Sequence, residues 1–142
     1  MEVANPFTHK GVPMARKVLH IPGKWHGGQP IPAATKTGPI VTSGGISGLD
    51  PETNEVAKDL NEQVRWAFEH VRRIMAEAGG TTDDIAHVTA YVKSRDVRPL
   101  LNEEWVKMFP DEESRPTRHT LQYDALAGGM ELQLWIVAYV GA

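Results

Sequence analysis

The segment from residue 132 to 140 limits the fold more than any other stretch, because all of its residues except Gln133 are apolar or aromatic. A β-strand points successive side chains to opposite faces of a sheet, so a strand of this composition is apolar on both faces. Helices packed on one side of the sheet would leave its other side exposed. The sequence therefore predicts a sheet whose second face is covered by self-association of the chain.

Two amphipathic helices are predicted before this strand, at about residues 60–78 and 97–109. The first has apolar residues at helical spacing and ends at a Gly-Gly pair. On its flank, Trp66 and His70 are four residues apart and are interpreted as packing residues, at the edge of the helix or between subunits. Strands are predicted at residues 15–21, 39–46, 85–93, 119–123 and 131–140. This order predicts an α+β fold with two helices on one face of a sheet.

The 142 residues fit one domain, which we place at residues 15–142 after a flexible arm at residues 1–14. The net charge of -3, without a block of like charge, argues against a nucleic-acid partner and an anionic membrane surface. No stretch approaches the roughly 20 apolar residues of a membrane span, and the first residues lack the apolar core of a secretory signal. The absence of cysteine excludes a disulfide scaffold, a thiolate nucleophile and a cysteine zinc site. We expect a cytoplasmic protein.

Arg118 is the candidate binding residue whose position the sequence constrains best. It follows the rigid Pro116 and precedes a strand, so its backbone is fixed before a ligand arrives. A guanidinium can bind a carboxylate through two parallel hydrogen bonds, which a lysine cannot do. A surface ion pair with Asp111, Glu112 or Glu113 is the structural alternative, and the residues alone leave both interpretations open.

A series of short motifs occurs in order between about residues 38 and 140. The motifs are Ser43-Gly44, Leu49-Asp50-Pro51-Glu52-Thr53, the helix into Gly79-Gly80, Val88-Thr89-Ala90-Tyr91-Val92, Asn102 and Arg115-Pro116-Thr117-Arg118. In this order and spacing the chain resembles the reactive intermediate deaminases, the RidA/YjgF group. The serine-glycine pair, the asparagine and the Arg-Pro-x-Arg corner are the most specific parts of the match.

The resemblance implies a chorismate-mutase-like fold and a homotrimer, in which the sheets line a central barrel and the sites lie in clefts between adjacent subunits. It also implies hydrolysis of short-lived enamines and imines, such as 2-aminoacrylate, to a 2-keto acid and ammonia, without metal or cofactor. In this family pattern Arg118 holds the substrate carboxylate. The backbone of Thr120, the Ser43-Gly44 strand end and Asn102 match the other contacts of the cleft.

Two positions depart from the family pattern. Gln133 stands where typical members carry a glutamate that orients or deprotonates the attacking water. A glutamine can hold a water by hydrogen bonding but cannot accept its proton at neutral pH. The family tyrosine that closes the cleft falls at Pro30 in this chain. Trp25 and His26, in the glycine-rich loop just upstream, are the candidate substitutes, with Trp25 as a substrate contact.

His26 is the candidate replacement acid or base, because histidine titrates near neutral pH. The alternative is that it only packs on Trp25. His119 follows Arg118 in a predicted strand, so it is expected to point to the opposite face. A metal site is not expected, since His20, His26 and His119 share no ligand spacing on one element.

Three functions remain open at this point. The first is an enzyme that hydrolyses an imine or enamine of a small carboxylate-bearing molecule, with Arg118, Gln133 and His26 as candidate catalytic residues. The second is a non-catalytic trimeric module that binds a carboxylate ligand for regulation, which a glutamine at position 133 would fit. The third, an interaction protein without a small-molecule site, leaves Arg118 and the glycine-rich loop unexplained.

Overall fold

A central sheet organises the computed structural model, which describes residues 15–141. The strands are β1 (Arg16–Leu19), β2 (Ala34–Thr37), β3 (Ile40–Ser43), β4 (Leu49–Asp50), β5 (Glu55–Val56), β6 (Ile85–Val92), β7 (Thr117–Gln122) and β8 (Leu132–Tyr139). Six of them form one sheet in the order β1-β2-β3-β8-β6-β7, and β4 and β5 form a separate hairpin. All pairs are antiparallel except β6 and β7, which are parallel. The flexible arm predicted at residues 1–14 lies outside the described residues.

Both predicted helices are confirmed, as α1 (Leu60–Glu77) and α2 (Val97–Met108). Asp59 caps α1 by accepting a hydrogen bond from the backbone N–H of Glu62 at 3.1 Å. Gly79, with φ of 79°, follows its last turn. Because α1 packs against α2 and β8, the predicted α+β fold with helices on a sheet is confirmed. Neither of these two helices has the length and apolar character needed to cross a bilayer.

The strand β2 is missed by sequence reasoning. Its four residues alternate only weakly in polarity, and the flanking strands β1 and β3 supply its pairing. Gly38, with φ of 56°, opens the tight turn into β3, as glycine does in two-residue hairpin turns. The strand predicted at residues 39–46 ends at Ser43 instead. The chain then returns to the sheet through an isolated bridge between Ile46 and Leu134.

The register of the sheet separates two candidate residues. Val88 of β6 pairs with Arg118 of β7, and Tyr91 of β6 pairs with Gln133 of β8. Residues directly opposite each other in neighbouring strands point to the same face, and successive residues alternate. Arg118 therefore points to the face covered by the helices, where Val88 is buried, whereas Gln133 points to the open face.

The strand β8 is apolar on both faces, as predicted. Leu134 and Ile136, on the helix face, are almost completely buried. On the open face Trp135 is 40% exposed and Tyr139 is 58% exposed, and Ile40 pairs with Tyr139 on that face. These side chains remain partly exposed on one protomer, so β8 and its neighbour β3 present apolar side chains on the open face of the sheet.

Candidate functional site

The loop that carries Trp25 and His26 is fixed in an unusual backbone conformation. His26 has φ of 59° and ψ of 29°, the left-handed region that a non-glycine residue rarely adopts. Its ring holds the loop in place, with Nδ1 3.1 Å from the carbonyl oxygen of Ile31 and Nε2 3.2 Å from that of Gly45. Because both ring nitrogens contact backbone carbonyls, proton transfer by His26 requires one of these contacts to open.

The Gly44-Gly45 pair allows two side chains to lie directly on the backbone. A Cβ added at Gly44 would lie 2.8 Å from the His26 ring, and one added at Gly45 would overlap the side-chain amide of Gln133. Gly44 is the candidate contact taken from the family pattern. Gly45 is the residue that touches Gln133, and the sequence signal that points to it is the adjacent pair Gly44-Gly45, which lets another group approach the backbone closely.

A cavity of about 950 Å³ lies beside this glycine pair. Trp25, His26 and Gln133 all line it, so the structure brings together three of the candidate residues. Lys24, Lys58, Glu55 and Glu131 also line it, so its charged side chains are balanced in sign. The Gln133 amide has only a weak contact with Met130 Sδ, at 3.8 Å, so it remains available to bind a water or a ligand.

Gln63 forms one wall of the cavity and was not recognised from the sequence. Its Nε2 donates to the carbonyl of Gly129 at 3.1 Å, and its Oε1 accepts from the backbone N–H of Glu131 at 2.9 Å. A Cβ at Gly48 would overlap the backbone of Gln63, so the first turn of α1 packs directly on the chain there. The two hydrogen bonds fix the loop before β8 and hence the start of the strand that carries Gln133.

The interpretation of His70 as an edge or intersubunit residue is wrong, because its side chain is fully buried inside the protomer. Its Nε2 donates a hydrogen bond to the carbonyl of Leu49 at 2.7 Å. Trp25 packs edge-on against the ring at a centroid distance of 4.7 Å, and Trp66 stacks on it at 5.5 Å. His70 therefore supports the tryptophan that lines the cavity.

The stability of the protein is expected to fall in acid partly through His70. Burial lowers the pKa of its imidazole, and Arg73 lowers it further, although the hydrogen bond to Leu49 opposes them. In the unfolded chain the imidazole has the ordinary pKa of 6.5, whereas in the folded chain it binds a proton only at a lower pH. Stability is therefore present above pH 6.5 and is lost as the pH falls below it, by at most about 1.4 kcal/mol per pH unit.

Thermal unfolding at several pH values tests this expectation. His70→Gln keeps a donor for the Leu49 carbonyl and is expected to show a smaller loss of Tm between about pH 7.5 and pH 5.5 than the unchanged protein. His119→Gln, at an exposed position, is the control. An equal loss of Tm in the unchanged protein and in His70→Gln would contradict the expectation.

Two residues of α2 hold Arg118. Its Nη2 donates to Asn102 Oδ1 at 2.7 Å, and its Cζ lies 4.8 Å from the centroid of the Trp105 ring. The Nη1 atom is buried and has no acceptor. No carboxylate within the described residues lies within 4.0 Å of this guanidinium, so the alternative ion pair with the acidic residues at 111–113 is not formed. Arg118 is therefore oriented by α2 and is not paired with a carboxylate of the described residues.

The remaining candidates have simpler surroundings. Ser43 is buried, and its hydroxyl accepts a hydrogen bond from the backbone N–H of Ile136 at 3.0 Å, which joins β3 to β8. Thr120 lies on β7 two residues beyond Arg118. His119 pairs with Thr89 and points to the open face, away from Arg118, as predicted. Between residues 15 and 141, no three His, Asp or Glu side chains lie close enough together to hold a metal ion.

The candidates thus form two groups in one protomer. Trp25, His26 and Gln133 line the large cavity, whereas Arg118 and Asn102 lie between α2 and the edge strand β7. The strand β6 separates β7 from β8, and the register offsets Arg118 from Gln133 by three residues along it. Two strand spacings and three residues along the strand place the two Cα atoms about 14 Å apart.

The sequence model of the family described as Endoribonuclease L-PSP, which contains the YjgF and RidA proteins, matches residues 30–140 of the chain. This segment is well over half of the 142 residues. The chain belongs to this family. The resemblance inferred from the short motifs is therefore confirmed, and the protein is a Rid family member.

Relatives of known name agree with the Rid family assignment. A RutC family protein of Pyrococcus abyssi is 31% identical over 111 residues, which cover 78% of this chain and 86% of the relative. The 3-aminoacrylate deaminase RutC of Acinetobacter baylyi is 30% identical over 113 residues, which cover 78% of this chain and 87% of that one.

Solved Rid structures have the same fold. RidA from an Antarctic Psychrobacter matches with a TM-score of 0.78 at 25% identity, covering 87% of this chain and 99% of that one. Escherichia coli TdcF with bound serine matches with a TM-score of 0.76 at 24% identity, covering 87% and 98%. The two helices on a mixed sheet are thus the common architecture of this family.

Proposed function

We propose that this Rid family protein hydrolyses the imine or enamine of a small carboxylate-bearing molecule, releasing ammonia and a 2-keto acid. The observation that carries the proposal is the state of Arg118, which Asn102 and Trp105 orient although no carboxylate of the described chain pairs with it. A fixed guanidinium of this kind suits a substrate carboxylate. Two relatives support the reaction class, since RutC of Acinetobacter baylyi and TdcF of Escherichia coli are named as deaminases.

The complete site is proposed to form between two protomers of a homotrimer. The Cα atoms of Arg118 and Gln133 are about 14 Å apart and their side chains point to opposite faces of one sheet, so a small substrate cannot contact both side chains within one protomer. The apolar open face, with Trp135 and Tyr139, supplies the surface that a second copy would cover. In the trimer, Arg118 of one protomer faces the cavity of its neighbour.

The proposed reaction needs few groups. An enamine first tautomerises to the imine by gaining a proton at carbon and losing one from nitrogen. Water then adds to the electrophilic imine carbon to form a C–O bond, and one proton of the water moves to the nitrogen. The hydroxyl proton of the resulting carbinolamine follows, and the C–N bond breaks to give ammonia and the keto acid. Arg118 fixes the carboxylate, so that the imine carbon is held beside the attacking water. No electron is transferred, and the balance requires only substrate and one water.

Gln133 is proposed to position the attacking water rather than to deprotonate it. Its amide lies on Gly45 at the cavity wall and has only a weak protein contact. His26, next to it, has both ring nitrogens within hydrogen-bond distance of backbone carbonyls. Its proposed role is to fix the cavity wall, and it can release a proton only when one of these contacts opens. Trp25, supported by His70, is proposed to contact the substrate.

Release of keto acid from imines tests the function directly. An amino-acid oxidase generates imino acids in the cuvette, and keto acid and ammonia are followed with and without the protein. Accelerated release of both products supports the deaminase. Tight binding of pyruvate-like acids without any acceleration would instead support the regulatory module.

A mixing experiment tests whether each site spans two protomers. Arg118→Ala and Gln133→Ala trimers, each of low activity, are unfolded together in equal amounts and reassembled. If the two residues of a site come from different protomers, random mixing gives about one quarter of the sites both intact side chains. The activity is then expected to rise to about one quarter of that of the unchanged protein. Reassembly of each variant alone is the control. The same activity before and after mixing, with exchange verified by mass spectrometry, would place both residues of a site in one protomer.

A further inference from the structure

A second group of arginines lies beyond Arg118 in the groove between α2 and the edge strand β7. It surrounds a separate cavity of about 380 Å³ whose lining is Val92, Arg95, Arg98 and Gln122. Arg98 lies four residues before Asn102 on α2, and Gln122 lies four residues after Arg118 on the same face of β7. Arg118 and the smaller cavity therefore lie at successive positions along one groove.

None of these arginines is neutralised by the described protein. Arg95, Arg98 and Arg118 have no carboxylate within 4.0 Å between residues 15 and 141, although Asp96 lies between the first two in sequence. Burial lowers the pKa of Arg118, and repulsion from Arg98 lowers it further. The net charge of the whole chain is -3, so this concentration of positive charge is local. An anion bound in the groove would relieve the repulsion.

We propose that the substrate carries a second anionic group, a carboxylate or a phosphate, which binds Arg98 and Arg95 while Arg118 holds the first carboxylate. This inference rests on the proposed function for the role of Arg118. Arg98 lies one helical turn, about 6 Å, before Asn102, whose side chain binds Arg118, so the two arginine side chains lie close enough for one short dianionic acid. Gln122, at the end of β7, is a further donor for the second group.

The substrate class is therefore an imine or enamine of a short acid with a second negative charge. A guanidinium binds a carboxylate or a phosphate through two parallel hydrogen bonds, so the second negative group of the substrate can be either one. Arg98 and Arg95 are exposed, and the contribution of each ion pair is expected to be modest and to weaken with added salt.

Calorimetric titration of the intact protein tests the subsite without relying on turnover. Pyruvate has one negative group, oxaloacetate has a second carboxylate, and phosphonopyruvate has a phosphonate in its place. We expect at least one of the dianions to bind about tenfold more tightly than pyruvate. Arg98→Gln is expected to remove this preference while changing the Kd of pyruvate by less than about twofold. Whichever dianion binds more tightly identifies the second group.

Arg72→Gln is the matched control, because Arg72 is on α1 and pairs with Glu69 at 3.6 Å. It removes the same charge and is expected to leave the affinities for all three acids unchanged. The subsite is refuted if pyruvate binds as tightly as both dianions, or if Arg98→Gln weakens all three acids equally. Circular dichroism verifies that each variant retains its fold.

Turnover measurements separate this inference from the proposed function. The imines of alanine and aspartate are generated by amino-acid oxidases, and kcat/KM is compared for the two. Preference for the dianionic imine that disappears in Arg98→Gln supports both proposals. Dianion-selective binding without turnover of either imine retains the subsite and refutes the deaminase, whereas equal turnover of both imines with equal binding refutes the subsite alone.

Discussion

Replacing Arg118 with alanine is expected to lower kcat/KM for every accepted imine by at least roughly 100-fold. The guanidinium is proposed to supply charged hydrogen bonds to the substrate carboxylate, which together contribute about 3 kcal/mol. A loss of this size corresponds to about two factors of ten in the rate at low substrate concentration. Keto-acid release from imines generated in the cuvette measures the change.

The Arg118→Lys variant shows whether charge alone suffices. A lysine places a positive charge in the same region but cannot form the two parallel bonds, nor the flat contact with Trp105, so most of the activity is expected to remain lost. Arg72→Ala, on the solvent side of α1, removes an arginine far from the groove and is expected to retain full activity. Unchanged kcat/KM in Arg118→Ala would refute the role of this residue in the site.

Asn102 fixes the orientation of Arg118. Its side chain accepts the Nη2 hydrogen bond at 2.7 Å, so it fixes the plane of the guanidinium without needing to touch the substrate. The Arg-Pro-x-Arg corner in the sequence predicted the arginine. The partner across the groove could be assigned only through the family pattern, because the contact joins residues 16 positions apart on two different elements.

Local patterns predicted most elements of the fold. The apolar stripe of α1 and its Gly79 end lie where the periodicity places them, within a residue. The strand β2 was missed because its residues carry no strong pattern of their own and depend on β1 and β3 for their hydrogen bonds. Tertiary pairing thus decides the structure where intrinsic preference is weak.

The walls of the cavity were the least predictable part of the site. Gln63 bridges residues 66 and 68 positions away, and a lone glutamine in an amphipathic helix carries no signal of such a role. His70 lies on the flank of α1 in a helical projection, yet Trp25 arrives from a distant loop and buries it. Both residues act through contacts with distant parts of the chain, Gln63 by hydrogen bonds and His70 by packing, which spacing along the sequence cannot reveal.

A glutamate at position 133 is expected to increase the deaminase rate by about tenfold or more. A carboxylate can accept the proton of the attacking water, and a positioned general base commonly contributes 10²-fold or more. Glutamate and glutamine have the same shape, so Gln133→Glu fits the space over Gly45 where the amide already lies. The rate of the variant should also acquire a dependence on pH at the acid side, where the new carboxylate becomes protonated.

The Gln133→Met variant separates positioning of the water from deprotonation. Methionine has a similar length but cannot hold a water by hydrogen bonding, so the rate is expected to fall below that of the unchanged protein. A decrease of kcat in the order Glu, Gln, Met would indicate that the side chain at position 133 contacts the attacking water. Equal rates in all three proteins would show that position 133 does not contact the reacting groups. This result would favour the regulatory module over the enzyme, because a binding site needs Arg118 but no group to activate water.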